Sequence, residues 1–69
     1  METLKINGKE QQFSTGTPAT LAQLLQQLGI DATTVVAEID SQIIERKNFD
    51  KTQLKSGQTI ELVRFVPGG

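Results

Sequence analysis

One stretch of this chain has the periodicity of a helix, and the segments around it read as short strands. Leu21, Leu24, Leu25 and Leu28 fall at i, i+3, i+4 and i+7, a continuous apolar stripe on a 3.6-residue period. Thr20 followed by Gln23 has the spacing of a capping box, and Gly29 supplies a left-handed stop. A single amphipathic helix must bury its stripe against another layer, and the rest of the sequence offers a sheet.

Leu4 and Ile6 alternate with Thr3 and Lys5, the period-2 pattern of a half-buried strand. Asn7-Gly8 follows, a dipeptide that tolerates positive φ at both centres of a hairpin turn. A second strand through Glu10-Gln11-Gln12-Phe13 closes the hairpin with Phe13 as its core anchor, and residues 14–18 form a loop. Val35-Val36-Ala37-Glu38-Ile39 is β-branched and apolar, a third strand. Asp40-Ser41 turns the chain into a short fourth strand over 42–45, toward an edge of the sheet. Phe49 and Leu54 punctuate the polar segment 46–55 and are expected to plug that long connection into the core. Ser56-Gly57 marks a turn before a last strand over 59–66.

In that last strand Ile60 and Leu62 share one face, assigned to the core, while Val63 and Phe65 lie opposite beside Glu61. Two readings stand for Val63 and Phe65: an exposed docking surface, or residues covered by a loop. The order β-β-α-β-β-β gives an α+β class, a mixed sheet of four to five strands with one main helix packed on one face. If the first and last strands are parallel central neighbours, the arrangement is a β-grasp. The expected division is a folded domain over 1–66 and a flexible tail over 67–69.

The chemistry this composition allows is narrow. With 69 residues the chain is one domain at most, and a chain of this size buries only about 60% of its unfolded surface. Without cysteine there is no disulfide, zinc knuckle or thiol nucleophile; without histidine the commonest general base and metal ligand are missing. The carboxylates are scattered, with no spacing that suggests a paired acid and base. The expectation is a chain that binds no metal or cofactor and is not an enzyme by itself. A formal net charge of −1 argues against general nucleic-acid binding. No apolar run approaches the roughly 18 residues of a membrane span, and the first residues lack a secretory pattern, so a cytoplasmic chain is expected.

Charge is uneven along the sequence. Residues 1–44 hold two cations against five anions, and residues 45–69 hold five cations against three anions. This is either a solvated mixed surface or a basic half that steers the chain toward an acidic partner.

The remaining candidate for chemistry is the ending, Arg64-Phe65-Val66-Pro67-Gly68-Gly69. Two glycines give a strip without side chains that threads a narrow cleft where any Cβ would clash. Pro67 lacks an N–H and helps stop strand pairing. Four extended residues from Val66 reach about 13–14 Å at roughly 3.3–3.6 Å each. That reach places a Gly69 carboxylate inside a partner while the folded body stays outside. The alternative is a frayed terminus with no task.

At this point the chain resembles the ubiquitin-like β-grasp sulfur carriers, most closely those of thiazole biosynthesis (ThiS-like), with the molybdopterin-synthase small subunits (MoaD-like) second. The resemblance covers essentially the whole chain. It is carried by the helix from Thr20-Leu21 to Leu28, by Val36-Ala37-Glu38-Ile39-Asp40, by Ile44-Glu45-Arg46 with Phe49, by Leu54-Lys55-Ser56-Gly57-Gln58, and by Gly68-Gly69. The chain departs from the family pattern at Asp40, where Asn is frequent, at Glu45, often Pro, and at Phe49, often Trp. It departs again at Ser56-Gly57-Gln58, where acidic-Gly-acidic is common.

The resemblance implies that the Gly69 carboxylate is adenylated and converted to a thiocarboxylate that donates sulfur to the thiazole ring of thiamin. It implies a ThiF-like adenylating enzyme using ATP and magnesium, a persulfide sulfur donor and a ThiG-like thiazole synthase. Pro67 and Gly68 are then the tail, and Val63, Arg64 and Phe65 the candidate partner-binding residues. The competing readings are a MoaD-like subunit of molybdopterin synthase, a protein modifier that forms an isopeptide through Gly69, and a β-grasp interaction module.

Overall fold

The computed structural model describes residues 2–65. Val66, the expected end of the last strand, and the tail over 67–69 lie outside the described residues.

Strand β1 (Glu2–Ile6) and strand β2 (Lys9–Phe13) pair antiparallel across Asn7 and Gly8. Their φ values of 50° and 82° make this the primed turn whose twist matches the flanking strands. Helix α1 (Leu21–Leu28) follows the loop, then β3 (Val35–Ile39), β4 (Gln42–Ile44) and β5 (Thr59–Arg64). The five strands form one sheet in the order β2-β1-β5-β3-β4. Strands β1 and β5 are parallel, with Ile6 opposite Ile60, and β5 occupies the centre. This is the β-grasp arrangement expected from the strand order. Strand β4 is an edge strand, as the short 42–45 segment suggested.

Alternation decides which side chains the helix covers. Leu4, Ile6, Ala37, Ile39, Ile60 and Leu62 come from the sheet and are buried, and Leu21, Leu24 and Leu25 meet them from α1. Leu28 completes the stripe but stays partly exposed at the helix end. Phe49 and Leu54 plug the long connection into the same core. That connection also serves the helix, because the first-turn N–H groups of any helix have no partner within it. Here the Leu21 and Ala22 amides donate to the carbonyls of Thr52 and Phe49, at 2.9 and 3.0 Å.

Both ends of α1 are capped, with one difference from expectation. The Thr20 hydroxyl accepts from the Gln23 amide, but the Gln23 side chain takes the amide of Ala19 rather than that of Thr20. The Thr20 backbone instead forms an isolated bridge with Gln53. At the other end Gly29 adopts φ 72°, and the amides of Gly29 and Ile30 donate to Gln26 and Leu25. These two bonds are the paired closure of a Schellman motif.

Two polar side chains extend the ladder where strands turn away. Asn7 Oδ1 accepts from the Leu62 amide at 2.7 Å, and Asn7 Nδ2 donates to the Leu62 carbonyl at 3.3 Å. Asp40 Oδ1 accepts from the Thr59 amide at 2.9 Å. Only an acceptor oxygen is required there, which Asp supplies as well as the Asn frequent in the family pattern.

Candidate functional site

Among the described residues nothing is layered over the sheet face away from α1. On this face Val36 of β3 stands opposite Val63 of β5, and Glu38 stands opposite Glu61. Strand β4 adds Ile43, paired with Glu38 from the other side. Val36, Ile43, Val63 and Phe65 are 42, 70, 58 and 45% exposed. Among the described residues no loop covers Val63 or Phe65. Arg64 is also exposed, but strand alternation puts it on the face of Leu62, with Val35 as its register partner. The candidate trio of Val63, Arg64 and Phe65 is therefore split across the sheet.

Val36 and Ile43 join the face without having been singled out in the sequence. Their signal is alternation: Val35, Ala37 and Ile39 all point to the core, so Val36 must point away.

A polar device on the neighbouring turn fixes the exit of β5. The Asp31 carboxylate caps the 3-10 turn Ala32–Thr34, with Oδ1 accepting from the Thr33 amide at 2.9 Å and the Thr33 hydroxyl at 2.8 Å. The Thr34 amide and hydroxyl both donate back to the Asp31 carbonyl. Held in this way, the Thr34 carbonyl accepts from the Phe65 amide at 2.9 Å and carries the β3–β5 ladder one step past Arg64. The backbone hydrogen bond from Thr33, then the one from its hydroxyl, hold the Asp31 carboxyl below its ordinary value.

Chemically, the face offers apolar contact, the carboxylates of Glu10, Glu38 and Glu61, and Lys5 opposite Glu10. Among the described residues no group of three His, Cys, Asp or Glu is placed to hold a metal ion. No described helix is long and apolar enough to cross a membrane. A concavity of about 600 Å³ is an open groove beside α1 lined by Ala22, Ala32, Phe49 and the charged residues 45–47 and 50. It brings together none of the residues singled out for partner contact.

The profile of the ThiS family matches residues 2–69. The chain belongs to the ThiS family. The crystal structure of the thiamine biosynthesis protein ThiS from Geobacter metallireducens superposes with a TM-score of 0.83 at 31% identity, over 97% of this chain and 99% of that one. A solution structure of a thiamine biosynthesis protein from the same organism gives 0.78 at 31% identity, over 97% and 87% of the two chains. A thiazole synthase from Paramagnetospirillum magneticum is 33% identical over 66 residues, 96% of this ThiS-family chain. The chain spans about a fifth of that protein's length, 20%.

Proposed function

We infer that this ThiS-family chain is a sulfur carrier for the thiazole ring of thiamin, with Gly69 as its working end. A carboxylate is a poor electrophile, because its charge repels nucleophiles and oxide is a bad leaving group. Transfer of AMP from ATP to the Gly69 carboxylate, with loss of pyrophosphate, makes a mixed anhydride from which AMP departs readily. The outer sulfur of a persulfide then displaces AMP to give an acyl disulfide, and a second thiol cleaves its S–S bond, leaving Gly69 as a thiocarboxylate and the two thiols joined in a disulfide. That soft nucleophile passes its sulfur to the growing ring. In this reading a ThiF-like enzyme supplies the ATP, magnesium and catalytic groups, and the chain itself is a co-substrate.

The observation that carries the choice of pathway is the thiazole synthase relative. A segment similar to nearly all of this chain occupies a fifth of a longer protein named for thiazole synthesis. Such an arrangement favours a thiazole synthase as the partner that takes the sulfur, and it sets the molybdopterin reading second. The division of labour also suits the body: an exposed apolar face lies on the strand that leads through Phe65 toward Gly69.

Deleting Gly69 tests the reading in the cell. Growth without thiamin should be lost and restored by added thiamin or by the intact chain. Normal growth of the deletion strain on thiamin-free medium would count against the proposal.

A further inference from the structure

At the centre of the uncovered face two like charges stand opposite each other. Glu38 and Glu61 are direct antiparallel partners, with Val36 and Val63 beside them and Ile43 across from Glu38. Side chains directly opposite in such a ladder have Cβ atoms about 4.5–5.5 Å apart, and like charges there oppose pairing. Among the described residues no cation lies within 4.0 Å of either carboxylate. Among the described residues the ion pair within 4.0 Å is Lys47–Glu45, on the connection after β4. Lys5 shares the face, in register with Thr59, yet makes no such contact with either glutamate.

We propose that Glu38 and Glu61 form the recognition element of this face, and that its occupant is a protein surface presenting one arginine or lysine ringed by apolar side chains. The inference deepens the carrier reading and rests on it, since it names the surface that a carrier's enzyme must offer. A guanidinium has five N–H donors in a planar fork and can serve two carboxylates at once. Val36 and Val63 beside the pair, Ile43 across from Glu38 and Phe65 beyond Val63 flank that point on two sides and exclude water there on docking, which strengthens the charge pairing. A second copy of the chain fails the same test, because face-to-face pairing sets glutamates against glutamates. Nucleic acid and anionic lipid are disfavoured for the same reason. Position supports an enzyme, since Phe65 on this face is four residues before Gly69 in the sequence.

The full chain, and its Glu38→Gln/Glu61→Gln variant, should be titrated calorimetrically against the organism's adenylating enzyme and against its thiazole synthase. Expected is at least about tenfold weaker binding of the variant to one of them, and no binding of Glu38→Lys/Glu61→Lys. The folding midpoint of the glutamine variant should not fall. Equal affinity of wild type and glutamine variant overturns the proposal, and so does the absence of wild-type binding to both enzymes. Recording the Gly69 mass change in the same samples separates the two ideas. If glutamine variants are sulfurated with unchanged KM and also bind the thiazole synthase as tightly as the wild type, the recognition element is wrong and the carrier reading stands. Glutamate-dependent binding without any mass change in the wild type sinks the carrier reading alone.

Discussion

Asp31 controls the exit of β5 without touching it. Its carboxylate orders Thr33 and Thr34, and the Thr34 carbonyl holds the Phe65 amide at 2.9 Å. The Asp31 pKa is lowered in the folded chain, first by the Thr33 backbone hydrogen bond. A depressed carboxyl pKa contributes stability that is present above the unfolded value, about 3.9, and lost as pH falls through the folded value. The Thr33 and Phe65 amide shifts should therefore titrate together in acid, with a midpoint below about 3.9. In Asp31→Asn, which keeps an acceptor oxygen but has no proton to gain, both should stay flat. A shared midpoint at or above the ordinary aspartate value would contradict the capping account. Nothing in the sequence around Asp31 signals this role, because a single Asp before Ala-Thr-Thr is compatible with many turns.

Among the elements, the helix makes the fold one-sided, and its stripe is graded rather than uniform. Leu24 is fully buried, whereas Leu28 at the last turn is only partly so. Leu24→Ala should cost about 2–5 kcal/mol, because it removes buried methyl groups and leaves a cavity. Leu28→Ala should cost clearly less; urea denaturation of both variants checks the ranking, and equal losses would contradict the packing. Much at this scale was legible beforehand, for local reasons. The leucine spacing, Gly29 at φ 72° and the Asn7-Gly8 turn each state a backbone requirement in the residue itself. Phe49 and Leu54 were readable as plugs because large apolar residues in a polar segment need somewhere to go. What stayed hidden depends on strand register. Glu38 and Glu61 are 23 positions apart in sequence and become neighbours only because β3 pairs with β5. The uneven charge between the two halves of the chain likewise says little about faces, since that pair draws one glutamate from each half.

At the scale of the whole molecule, the proposed carrier role joins a small body, whose sheet face is uncovered among the described residues, to the Gly69 end. Membership of the ThiS family and the shared fold with a thiamine biosynthesis protein support that division of labour. Residues 67–69, which carry the proposed chemistry, were legible only as a side-chain-free ending and lie outside the described residues. Intact mass of the full chain, before and after incubation with ATP, magnesium, a persulfide donor, a thiol reductant and the adenylating enzyme, tests the claim most directly. An AMP adduct followed by a mass gain equal to sulfur minus oxygen, localised to Gly69, is the predicted result. An unchanged mass alongside an enzyme shown to adenylate another ThiS protein would contradict it.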